Sequence, residues 1–268
     1  MQYVADARVD SGDLHVLLCD MSNPLLNADR WRNSETTGTE VMTVNGAVVK
    51  TGFFLLVMLL VFAATWDSLE RTKLIFSLAV GPALIGSAIV GLVLALIAGF
   101  FPRSTAITGT LYVVCQGVLL GGVSYLYNVQ YKGLPLLAAA LTIGTLMGML
   151  FLYTQRIIRA TPMFIKVIVG ATVGLAIGVG ILFLLNMFGI ATGMKTALYG
   201  AGPIGIGFSI LCVGLAAFNL ILDFNFIESA AASKRPKYME WVGALALIIT
   251  LVWLYLEILR LLSKLRSR

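Results

Sequence analysis

Residues 203–226 read PIGIGFSILCVGLAAFNLILDFNF and carry a single charge, Asp223. The run is long enough to cross a hydrocarbon core, which takes about 20 predominantly apolar residues. An ionised carboxylate in hydrocarbon costs several kcal/mol, so neighbouring protein must offset it. Stepping back from Asp223 by the three- and four-residue rhythm of one helix face gives Asn219, Ala216, Cys212, Ser209 and Gly205. These are small or polar, whereas Leu211, Phe218 and Leu222 lie on flanking faces. Asp223 is therefore expected to point into a helix bundle and away from lipid.

The rest of the chain agrees with that reading. Of its 268 residues 59% are hydrophobic and 12% charged, with a mean hydropathy of +0.94, against roughly 25% charged residues in an ordinary soluble domain. Apolar runs at about 50–66, 74–100, 106–127, 134–154, 163–188, 203–226 and 241–262 alternate with short polar breaks. This predicts an all-α fold, a polytopic membrane bundle of seven transmembrane helices, with sequence neighbours packed as antiparallel hairpins. Residues 1–48 are mixed polar and predict a mostly disordered tail, followed by a transmembrane domain over 49–268. The tail lacks a basic n-region followed by an apolar h-region, so no secretory signal is expected.

Basic residues suggest the orientation. Arg30, Arg32, Lys50, Arg103, Arg156, Arg159, Lys234, Arg235 and Lys237 group with the N-terminal side, and Arg71, Lys73, Lys132 and Lys195 with the other. That excess predicts a cytoplasmic N-terminus, although seven spans leave the basic C-terminal group, Arg260 to Arg268, on the opposite side. The net charge of +6 is scattered over connections, which suits a lipid bilayer surface and no nucleic acid. Cys19, Cys115 and Cys212 have no metal-ligand spacing, and the only histidine, His15, lies in the tail. No nucleophile, base and oxyanion set appears, so an enzyme is not expected, and no cofactor is expected either.

Beyond the tail the acidic residues are Asp67, Glu70, Asp223, Glu228, Glu240 and Glu257, and only Asp223 and Glu257 fall within spans. Glu257 heads a second face of mostly small residues (Trp253, Thr250, Ala246, Gly243), and it also lies three residues from Arg260, a spacing that favours an ion pair. Gln116 is a further polar residue in mid-helix, suited to an interhelical hydrogen bond. Glycines four apart, Gly117 and Gly121, Gly144 and Gly148, and Gly170, Gly174 and Gly178, are expected to let helices approach closely.

LDFNFIE at 222–228, KYMEW at 237–241 and LVWLYLEILRLLSKLR at 251–266, with SNPLLN and TVNGAVVKTG upstream, resemble the transmembrane Bax inhibitor motif family, in particular its bacterial branch with a long N-terminal tail. The resemblance implies a seven-helix bundle in the bacterial inner membrane, with the last helix central. It also implies a pH-dependent calcium leak gated by two carboxylates that share a proton. Asp223 matches the first of these and Glu257 the second, so both are the expected pH sensor and the expected oxygen ligands for a Ca2+ ion. Two carboxylates close together in a low dielectric cannot both ionise easily and titrate as a unit. By a rise of about 1.5 Å per residue, however, Glu257 lies roughly 24 Å beyond Trp241, while Asp223 lies near the expected end of its helix. The two meet only if a helix projects from the bilayer; otherwise Glu240 is the alternative partner of Asp223. Two rival functions stay open. One is a proton-coupled transporter, for which GAGPIGIG at 200–207 is the only comparable helix break. The other is a non-transporting regulator that engages a membrane-protein partner, such as a quality-control protease, through the tail.

Overall fold

In lipid, a backbone polar group without an intrachain partner costs several kcal/mol, so apolar runs of this length close their hydrogen bonds as helices. A computed structural model of the chain describes residues 41–71, 76–188 and 200–267. The expected disordered tail falls mainly on residues 1–40, outside the described residues. Among the described residues there are seven helices long and apolar enough to cross a membrane. They are α1 (Val44–Arg71), α2 (Phe76–Phe100), α3 (Thr105–Gln130), α4 (Leu134–Thr154), α5 (Pro162–Met187), α6 (Pro203–Ala232) and α7 (Met239–Arg266).

The number of spans is as expected, and three of the helices are longer than the apolar runs alone implied. The first begins at Val44, before Lys50. The sixth runs to Ala232, past Phe226, and the seventh reaches Arg266. Helix propensity and internal hydrogen bonding carry each helix past the edge of its apolar stretch. α6 closes with Lys234 at φ 51°, Lys234 N–H donating to the Ala231 carbonyl and Arg235 N–H to the Ala230 carbonyl. This is the paired bonding of a left-handed C-terminal cap.

α7 is the axis of the fold. It packs against α1, α3, α4 and α6, and 83% of its apolar stretch is buried, against 44% for α3 and α6. α2 packs chiefly on α3, and α5 on α6. Successive helices run antiparallel, giving the bundle two ends. The first carries residues 41–43 and the α2–α3, α4–α5 and α6–α7 connections, and the second carries the α3–α4 connection and the C-terminus.

The glycine spacings divide. A Cβ on Gly117 would stand 2.7 Å from Val61 Cβ and 2.9 Å from the Met58 carbonyl, and one on Gly121 would stand 2.9 Å from the Phe62 carbonyl. These two do bring α1 onto α3. Among the described residues Gly144, Gly148, Gly170, Gly174 and Gly178 meet nothing within 4 Å, contrary to the expectation that they close helix contacts. α4 and α5 turn those faces outward, because α7 and α6 dock on other faces.

Candidate functional site

Asp223 is buried at 6% exposure on α6 with Gly205, Ser209, Cys212 and Ala216 buried along the same face. Its carboxylate lies against the Thr250 side chain of α7, and Thr250 Oγ1 donates to the Ala246 carbonyl at 3.3 Å. Asp223 Oδ2 is buried with no hydrogen-bond partner. Asn219, one turn back, is half-buried and turns toward α5, its Nδ2 donating to Thr172 Oγ1 at 2.8 Å and to the Leu215 carbonyl at 2.9 Å. It therefore braces α6 on α5 and does not share Asp223's surroundings.

Glu257 is also 6% exposed. Arg260 Nη1 donates to its Oε1 at 2.8 Å, making the three-residue ion pair, while Oε2 is buried with no hydrogen-bond partner. The site thus offers two buried carboxylate oxygens without donors among the described residues, one on each of two facing helices. A buried carboxylate oxygen left so is costly unless a proton, water or cation satisfies it.

Three contacts set the register of the α6–α7 seam. Lys264 Nζ donates to the Gly205 carbonyl and to Ser209 Oγ, both at 2.9 Å, near the second end. Asp223 meets Thr250 in the middle. A Cβ on Gly243 would stand 2.9 Å from Ile227 Cγ1 toward the first end. Between the first two, Glu257 falls near the level of Cys212, on which it acts electrostatically. Seven residues separate Thr250 from Glu257, so the two carboxylates lie roughly 10 Å apart along α7 at about 1.5 Å per residue. The extension of α6 to Ala232 is what brings them this near, since it moves Asp223 nine residues inside its helix and away from the membrane edge.

Glu240, the alternative partner, sits at the first end, about 15 Å from the Thr250 level by the same rise. Both of its oxygens are engaged. Oε1 accepts from Thr43 N–H at 2.9 Å and Thr43 Oγ1 at 3.0 Å, and Oε2 accepts from Lys50 Nζ at 2.5 Å. A Cβ on Gly46 would collide with this carboxylate, so glycine is needed there for the backbone to approach. Lys50 Nζ also stands 4.9 Å from the Trp241 ring. Thr43, Gly46 and Lys50 all belong to TVNGAVVKTG, which opens α1 and does not precede it. Met42 N–H donates to the Arg235 carbonyl at 2.7 Å, and Val41 pairs with Pro236. Glu240 is thereby the centre of a clasp that ties the start of α1 to the start of α7.

Gln116 is buried on α3, with Nε2 close to Gly91 of α2 and Oε1 lacking a partner. It belongs to the α2–α3 contact. Lys264 was missed by sequence reasoning, which counted it only as C-terminal charge. Its signal was a cation two turns beyond Glu257 on a helix whose surroundings are almost wholly protein. Arg266 likewise binds back, Nη1 donating to the Lys132 carbonyl at 3.0 Å. Among the described residues no three His, Cys, Asp or Glu side chains converge as a metal cage. GAGPIGIG is no interior break: α6 starts at Pro203 and continues through Gly205 and Gly207.

No curated protein and no solved structure matches the chain. A family model described as Bax inhibitor 1 like matches residues 23–267, which takes in all seven helices with Asp223, Glu240 and Glu257, and the chain belongs to that family.

Proposed function

We propose that this membrane protein conducts a passive, pH-sensitive leak of cations, calcium among them, along the α6–α7 seam, with Asp223 and Glu257 as its sensor and gate. The observation that carries the reading is the pair of buried oxygens, Asp223 Oδ2 and Glu257 Oε2, left without donors among the described residues on facing helices of a lipid-spanning bundle. Intramembrane carboxylates of this kind mark ion and proton pathways, and oxygen ligands suit a hard cation such as Ca2+. Their stagger makes them two successive stations: a cation passes from one carboxylate to the next, and protonation of either removes its charge from the path. The unbroken α6 favours this over a transporter built on interrupted helices.

The end bearing Arg103, Arg156, Arg159, Lys166, Lys234, Arg235 and Lys237 faces the cytoplasm of a bacterial inner membrane, by the excess of basic residues in its short connections. At the other end Lys264 is held in the seam, and Arg266 Nη1 donates to the Lys132 carbonyl.

The test is calcium flux into liposomes holding the purified full chain, followed from acidic to neutral pH. Flux that varies with pH supports the reading. Flux absent at every pH rejects it and favours a non-transporting regulator.

A further inference from the structure

α1 and α4 pack on α7 from two sides and barely touch one another. The gap between them is a groove of about 610 Å³ that opens at the side of the bundle. Leu59, Phe62 and Trp66 form one wall, Ala139 and Leu146 the other, and Leu251 and Tyr255 of α7 the floor.

Its chemistry is almost purely apolar. Of the hydroxyls that line it, Tyr255 Oη is bonded to Ser124 Oγ at 2.6 Å, and Thr142 Oγ1 donates to the Ala138 carbonyl at 2.8 Å. Neither is left to hold water, which needs two to four polar partners. A dry groove at membrane depth is filled by hydrocarbon.

The groove reaches toward the second end, with Trp66 in the last two turns of α1 and Pro135 in the first turn of α4. Two basic residues lie at that end. Arg266 Nη1 binds the Lys132 carbonyl at 3.0 Å, and Lys132 stands three residues before Pro135 with its side chain exposed. Trp66, packed edge-on against Tyr125 at 5.6 Å, has the amphipathic ring that settles at headgroup level.

We propose that this groove is a specific phospholipid site, with one acyl chain lying on Leu251 and Tyr255 between α1 and α4, and the phosphate held by Lys132 and Arg266. The floor carries the consequence. Tyr255 is two residues from Glu257 on the central helix, so the lipid rests on the back of the helix that presents the carboxylate.

The full chain, extracted in mild detergent from phosphatidylglycerol-containing membranes, is weighed by native mass spectrometry. One retained phospholipid per chain is expected. Ala139→Phe and Ala63→Phe fill the groove from opposite walls, and either should abolish retention, so a folding failure of one leaves the other as the test. Lys132→Gln with Arg266→Gln should weaken retention roughly fivefold per cation removed. In parallel, phosphatidylglycerol brominated on its acyl chain should quench Trp66, read as the difference from Trp66→Phe. The proposal is overturned by no retained lipid in the unaltered chain, by equal retention in the filled variants, by retention indifferent to the two cations, or by a fatty acid in place of a phospholipid. None of these readouts requires ion flux, so the site stands or falls separately from the leak.

Discussion

Asp223 on α6 lies against Thr250 on α7, two turns short of Glu257 on that same helix. These two carboxylates are thus staggered along one seam and do not face each other directly. Side-by-side carboxylates would share one proton and one ion. On the proposed leak, staggered ones, roughly 10 Å apart by helix rise, would divide the path into two steps whose charges are coupled through a low-dielectric interior.

Asp223→Asn is expected to flatten the dependence of calcium flux on pH, because an amide of the same shape cannot titrate. Glu257→Gln should do the same at its own step. If the two stations act in series, the double variant should be no flatter than the flatter single one. Liposome flux traces across pH decide this, and an unchanged pH response in both single variants would end the gate reading.

The Glu240 clasp predicts a stability pattern. Glu240 and Lys50 side chains are 3% and 16% exposed, and removing one partner of a buried pair costs about 3–5 kcal/mol, since the other is left uncompensated. Lys50→Met should therefore lower the thermal midpoint in detergent more than Lys50→Met combined with Glu240→Gln. Gly46→Ala, which drives a methyl into the carboxylate, should resemble the single Lys50 variant.

The two kinds of glycine should separate cleanly. Gly117→Val forces a branched side chain into Val61 and the Met58 carbonyl, and overpacking of this kind costs typically 1–3 kcal/mol. Gly174→Val on the open face of α5 should stay within about 0.5 kcal/mol, as surface changes usually do. Detergent-resolved thermal melts of both variants provide the comparison.

Ser124 and Tyr255 join α3 to α7 by a buried bond of 2.6 Å. Tyr255→Phe leaves Ser124 without that partner and should destabilise by about 0.6 kcal/mol and by no more than about 1.7, the average and the maximum measured for hydrogen bonds between membrane helices. Adding Ser124→Ala should recover part of the loss, which a double-mutant cycle in unfolding experiments will show.

The seven spans were legible because hydrocarbon enforces a length and permits only self-satisfied backbone. The interior orientation of Asp223 was legible because a helix face is fixed by spacing along one chain. Those are properties local to a helix. The tertiary structure alone decided which helix each face meets. Gly117 and Gly170 sit in similar small-residue patterns, yet α1 closes on the first and nothing among the described residues closes on the second. Glu240 lies beside α6 in sequence, yet its carboxylate is taken by Thr43 and Lys50 from far along the chain. The Asp223–Glu257 stagger depends on the extra length of α6 and on Lys264 binding the Gly205 carbonyl and Ser209. Register between two antiparallel helices is a sum of many side-chain contacts across the seam, and apolar periodicity is unchanged when one helix slides a turn past the other. Composition and spacing therefore specify the bundle and its buried acid, and only docking of the helices specifies how far one acid stands from the next.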